Sequence, residues 1–164
     1  MRTTLLFLIS VFFVISACSP NSQNTKIEDK QKDGEEKISY NLTPTFITEG
    51  HEMRGIEGRI GFLNLKFKAK ESQKVLWHFW GEENEISGTF KLEGTHLLSG
   101  KKTPLLVNLN THEKIYESIQ PYTQANLGAI KSMPSTLLFE EPGVWQLNVF
   151  IDNKHFAELV VEVD

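Results

Sequence analysis

The sequence predicts an all-β protein, an antiparallel sandwich of seven or eight strands, and three observations predict it. The first is the stretch Gly143 to Val163. Trp145, Leu147, Val149 and Ile151 alternate there with Gln146 and Asn148, and Ala157, Leu159, Val161 and Val163 then alternate with Glu158 and Glu162. A period of two with one apolar face marks a half-buried strand. The second is repetition, since short runs of this kind recur between turn-forming residues from Thr45 onward. The third is the scarcity of helical spacing: Ile115, Tyr116 and Ile119 have it, but Pro121 stops any helix after about two turns. Together these favour a sandwich of the immunoglobulin-like kind, with a small barrel as its main competitor.

The chain has 164 residues, 40% hydrophobic and 23% charged, ordinary values for one globular domain with a real core. A formal charge of −4 argues against nucleic acid as a partner. At the start, Arg2 precedes the uncharged run Leu5 to Ile15, too short for a permanent membrane span and suited to a secretory signal peptide over residues 1–17. Ile15-Ser16-Ala17-Cys18 then resembles the bacterial lipobox, in which an aliphatic residue and two small ones precede a cysteine that is lipidated and becomes the new N-terminus. The resemblance implies a diacylglyceryl cysteine at Cys18, carrying acyl chains such as palmitate in the cell membrane. Cys18 is the single cysteine, so its acylation leaves no thiol for a disulfide, a metal or a nucleophile.

Residues 18–37 read as a disordered tether, with Pro20, Gly34, mixed charges and Ile27 as the one large aliphatic side chain. About twenty flexible residues span roughly 25 Å, enough to lift a domain off the headgroups. The folded domain is expected over residues 38–164. Thr45 to Thr48 reads as an edge strand after Pro44. The glycines of Gly55-Ile56-Glu57-Gly58-Arg59-Ile60-Gly61 permit a bulge or bend, because no helix follows to make a phosphate loop of them. Leu63, Leu65, Phe67 and Ala69 alternate with Asn64, Lys66 and Lys68 as a strand.

Val75 to Gly81 is apolar on both faces, which places it centrally or leaves an aromatic stripe in view. With Val75, Trp77 and Phe79 inward, Leu76, His78 and Trp80 lie on the outer face. Ile86 to Leu92 and Thr95 to Leu98 predict further strands, and Lys102 to Leu109 an edge strand opened by Pro104. Asn110 to Ser132 is a long connection without strand alternation, best placed as a cover over that outer face. Thr136 to Phe139 is a short strand, and Glu140 to Gly143 turns into the last hairpin. For its two apolar faces to coincide the loop must hold an odd number of residues, which predicts a three-residue turn centred near Lys154.

Phe79-Trp80-Gly81, Gly94-Thr95-His96, Met133-Pro134-Ser135, Pro142-Gly143-Val144-Trp145-Gln146-Leu147 and Glu158 to Val163 resemble a family of small lipoproteins from spore-forming Gram-positive bacteria, a domain family of unknown function. The resemblance covers most of residues 40–164 and implies lipidation and an immunoglobulin-like domain. It supplies no catalytic residues. The Gly-x-Trp-x-Leu ending also resembles, more loosely, sandwich domains that inhibit proteases.

Five histidines, at 51, 78, 96, 112 and 155, lack both the i, i+4 and the His-x-His spacing of a metal site. No nucleophile elbow, phosphate loop or closely spaced carboxylate pair appears, so neither an enzyme, a metal nor a cofactor is expected. The expectation is a monomeric, non-catalytic binding module, lipid-anchored on the extracytoplasmic face of the membrane, with a protein or cell-wall glycan as partner. Its candidate patch is Leu76, His78 and Trp80 with Tyr116 and Tyr122, aromatic residues giving large contact area at low entropy cost. An inhibitor of an extracellular protease, acting through a hairpin or the 110–132 segment, is the alternative.

Overall fold

The computed structural model describes residues 39–124 and 126–164; the expected signal peptide (1–17), Cys18 and the expected tether (18–37) lie outside the described residues. Tyr40 to Asp164 forms one compact unit of β-structure. Eight strands have four or more residues: β1 (Thr45–Thr48), β2 (His51–Ile56), β3 (Ile60–Leu63), β4 (Gln73–Phe79), β5 (Phe90–His96), β10 (Lys131–Leu137), β11 (Gly143–Ile151) and β12 (Lys154–Val163). Between β5 and β10 come four short ones, β6 (Lys102–Pro104), β7 (Leu106–Val107), β8 (Lys114–Ile115) and β9 (Thr123–Gln124).

Two antiparallel sheets result. The larger runs β1-β2-β3-β4-β10-β7-β8, with β9 also on β10, and the smaller runs β12-β11-β5-β6. Their facing sides make an aromatic core. Val75, Trp77 and Phe79 point into it from β4, and Trp145, Leu147, Val149 and Ile151 from β11. Trp77 meets Phe62 edge-on at 5.2 Å between ring centres, and Phe139 meets Trp145 at 5.5 Å. Such pairs add about 0.5–1.5 kcal/mol each beyond the area they bury. Both indole N–H groups donate, Trp77 to Ser135 Oγ at 2.8 Å and Trp145 to the Glu141 carbonyl at 3.1 Å.

The last hairpin keeps its odd-number rule by a different device. Trp145 opposes Val161, Leu147 opposes Leu159 and Val149 opposes Ala157, but Phe150 opposes His155 and Ile151 opposes Lys154. The turn therefore has two residues, Asp152 and Asn153, both with positive φ (49° and 61°), a combination that Asp and Asn tolerate better than most residues. The third, odd residue is Phe156, bulged into β12 and buried beside Ala157. The expected three-residue turn is thus a two-residue turn plus a bulge.

Other expectations shift in similar ways. β2 was not anticipated, because its burial pattern shows only Met53 and Gly55 fully inward and Arg54 sits between them. Ile86 is buried in a turn, and the strand or two expected between Ile86 and Leu98 is the single β5. Two glycines of the resemblance motifs have steric reasons. A Cβ on Gly94 would lie 2.5 Å from Leu105 Cδ1, and one on Gly143 would lie 2.5 Å from His96 Nε2. The motifs Gly94-Thr95-His96 and Pro142-Gly143 therefore meet in space, with the buried His96 between Ser99 Oγ (2.8 Å) and the Pro142 carbonyl (3.2 Å).

Residues 108–130 stitch the sheets together. β8 pairs with β7, the Tyr116 carbonyl accepts from Leu92 N–H at 2.8 Å, Ser118 N–H donates to the Phe90 carbonyl at 2.8 Å, and β9 returns to β10. The segment is thus paired first to one sheet, then to the other, then to the first again.

Candidate functional site

The pairing of β4 with β10 sets the outer face of the larger sheet: Lys74 opposes Thr136, Leu76 opposes Pro134 and His78 opposes Ser132. One end of this face is sealed. His78 is 1% exposed, its ring stacked on Trp80 at 6.2 Å, and Trp80 meets Phe46 of β1 edge-on at 5.8 Å. The turn after β9 closes the rest, with Thr48 Oγ1 donating to the Leu127 carbonyl at 3.1 Å and Ser132 Oγ to Asn126 Oδ1 at 3.1 Å. Neither ring nitrogen of His78 has a hydrogen-bond partner among the described residues. Burial pushes its pKa down; Asn126 and the backbone of Leu76 and Gly61 lie close enough to oppose this, but short of full hydrogen bonds, and burial wins.

The other end is open. Leu76 and Pro134 floor a groove of about 480 Å³, bordered by Leu63 and Leu65 on the β3 side and by Leu109 and Ile119 on the β7 side. The four bordering side chains are 36–56% exposed. Lys74 is the one charged residue among those lining it, and no aromatic ring lines it. Its volume falls within the roughly 300–1,000 Å³ usual for small-molecule sites. Contiguous exposed aliphatic residues on a sheet face commonly mark a contact surface.

The five residues expected to form one patch are divided by the fold. Leu76 lies in the groove, and His78 and Trp80 belong to the sealed end. Tyr116 is 39% exposed, with Lys91 Nζ of the smaller sheet 5.9 Å from its ring centre. Tyr122 packs edge-on against the core residue Phe79 at 5.5 Å. Burial pushes the Tyr122 phenol up to about 12, and its hydroxyl has no partner among the described residues. The 110–132 segment covers only the His78 end and serves as a wall at the Leu76 end.

Leu63, Leu65, Leu109 and Ile119 were missed as surface residues. Alternation placed Leu63 and Leu65 on one face with Phe67, but β3 ends at Leu63 with Phe62 inward. The chain slips by one residue before Phe67 re-enters the core, where it makes a single bridge to Val163. Among the described residues no three His, Asp or Glu side chains stand close enough to hold a metal ion.

A family described as "Domain of unknown function (DUF4871)" matches residues 31–161. A crystal structure of a Bacillus anthracis protein named as a candidate lipoprotein superposes with a TM-score of 0.65 at 23% identity, covering 77% of this chain and 88% of the other. At that identity the likeness speaks for the fold. No functionally curated protein matches the chain.

Proposed function

The chain belongs to the DUF4871 family, and on that premise we propose that it is a lipid-anchored extracytoplasmic protein whose sandwich is a non-catalytic binding module. The observation that carries the binding reading is the open half of the larger sheet, where aliphatic side chains that could have been covered are left around a groove. The anchor reading is supported by Ile15-Ser16-Ala17-Cys18 after an apolar run, and by the word lipoprotein in the name of the structural neighbour. Cys18 lies about twenty residues before the first described one, so the groove works within reach of the bilayer surface. Attachment through acyl chains also suits a chain whose net charge of −4 gives it no overall attraction to anionic lipid.

Labelling with radioactive palmitate tests the anchor: label is expected in the natural chain and absent after Cys18→Ala, and label persisting in the variant overturns it. The binding surface is tested in intact cells by placing a photo-reactive residue at Leu109 or, as a control, at Leu98, which is 72% exposed beyond the end of β5. A discrete adduct from position 109 and not from 98 is expected; identical patterns at both positions refute the groove as the site.

The inhibitor alternative asks for a rigid projecting loop. The 110–132 segment is instead paired at β8, at Tyr116 and Ser118, and at β9, which favours the groove reading.

A further inference from the structure

Resting on that reading, the chemistry of the groove narrows what it would hold. We propose that it binds the hydrocarbon chain of a free long-chain fatty acid, lying between the Leu63–Leu65 and Leu109–Ile119 walls with its carboxylate at Lys74.

Most of the lining is leucine, isoleucine, valine and proline, with Ser118, Gln120, Ser135 and Thr136 as its uncharged polar members and no aromatic ring among them. Such a surface offers no flat face to stack on a sugar or a planar ligand. It rewards burial of flexible hydrocarbon, at about 25 cal/mol per Å² of apolar area removed from water. A peptide fits it less well. Its amides must find partners once buried, and the middle of the floor is the Leu76 side chain beside Pro134, which has no N–H to give. A hydrocarbon chain makes no such demand.

Charge orients the occupant. Lys74 is two residues along β4 from Leu76, at the end away from His78, and is the one ionic group in the lining. In a chain with 21 acidic and 17 basic residues, a groove whose single charge is positive is complementary to one anionic head. Beyond Leu76 the same face of the sheet is covered by His78, Trp80 and Phe46, which lie outside the groove's lining. The groove is therefore largely apolar, with its one cation at the end away from His78, a lining matched by a single-chain carboxylate.

The test uses the full, lipidated chain reconstituted in phosphatidylcholine vesicles and a diazirine analogue of a long-chain fatty acid, with adducts located by mass spectrometry after irradiation. Adducts are expected on the peptides carrying Leu63, Leu76 and Leu109, and unlabelled fatty acid should displace the probe while the fatty alcohol of equal length does so several-fold less well. Lys74→Glu is expected to weaken capture by about two- to fivefold or more, the scale of an exposed ion pair. Ile119→Ser, on the exposed rim where folding is not at stake, should reduce the yield, and Leu76→Arg should abolish it. Adducts spread equally onto Leu98, equal competition by the alcohol, or a peptide found cross-linked at position 109 in cells would each overturn the proposal. Loss of the vesicle-bound fraction reports failure of the anchor, and absence of adduct on chain that remains vesicle-bound reports failure of the fatty-acid assignment alone.

Discussion

Two ends of one strand pair, β4 with β10, differ in a way their side chains do not foretell. At one end the polar His78 is 1% exposed beneath Trp80 and Phe46, and at the other Leu76 floors an open groove. Hydrophobicity alone would have sealed the leucine and left the histidine wet. What separates them is which neighbour arrives. β1 brings Phe46, and the turn after β9 brings Leu127 to Thr48, both over the His78 end. At the Leu76 end β3 has already finished at Leu63, and the connection through Ile119 passes along the rim. On a strand apolar on both faces, the connections decide which half of the outer face is covered.

The sharpest way to probe this contrast is to remove the support common to both ends. Trp77 lies on the inner face of β4, fully buried against Phe62 and Phe90, so Trp77→Ala is expected to cost about 3–5 kcal/mol in chemical denaturation. A cost under about 1 kcal/mol would mean that β4 is not anchored from inside and that the two ends do not share a support.

A smaller effect separates the sealed end from the open one by pH. His78 has a folded pKa below its ordinary 6.5, so the unfolded chain takes up a proton first. Its neutral form is therefore fully compatible with folding above about pH 6.5, and stability falls as the pH drops below that value. Melting temperature measured against pH should show this slope in the natural chain and lose it in His78→Leu. A second loss, from pH 4.5 toward 2, should survive in the variant. It belongs to Glu140, whose carboxylate is held down to about 2 by Lys101 (2.7 Å) and Lys114 (2.9 Å). Persistence of the upper slope in His78→Leu would assign it elsewhere.

The smallest expected effect on stability is at the open rim. Leu109→Ser should change the unfolding free energy by no more than about 0.5 kcal/mol, because the side chain is already half exposed. Fatty-acid capture by the same variant should fall clearly. A large destabilisation would show that the groove is part of the core and erase the distinction between the two ends.

Much of the fold was legible in local pattern. The inward faces of β11 and β12 follow from alternation alone, and so does the parity of the last hairpin, although the odd residue sits at the Phe156 bulge rather than in the turn. β2 was not legible, since its inward residues are only Met53 and a glycine, with Arg54 between them and exposed residues on either side, too little apolar alternation to read. The site was legible only at Leu76. Tyr116 and Tyr122 were grouped with it because they lie in a connection rich in apolar residues, yet backbone pairing to Leu92 and the packing of Tyr122 on Phe79 direct them elsewhere.

Sequence by itself determined the β class and the inner faces of the last two strands, because alternation is a local property that the pleat converts directly into inside and outside. Tertiary structure alone decided that Leu63 and Leu65 face solvent, that His78 is buried with no hydrogen-bond partner among the described residues, and that a groove opens beside Leu76. Those outcomes depend on where β3 stops and where the 108–130 connection lies, distances set by the meeting of segments far apart in the chain, which no local period encodes.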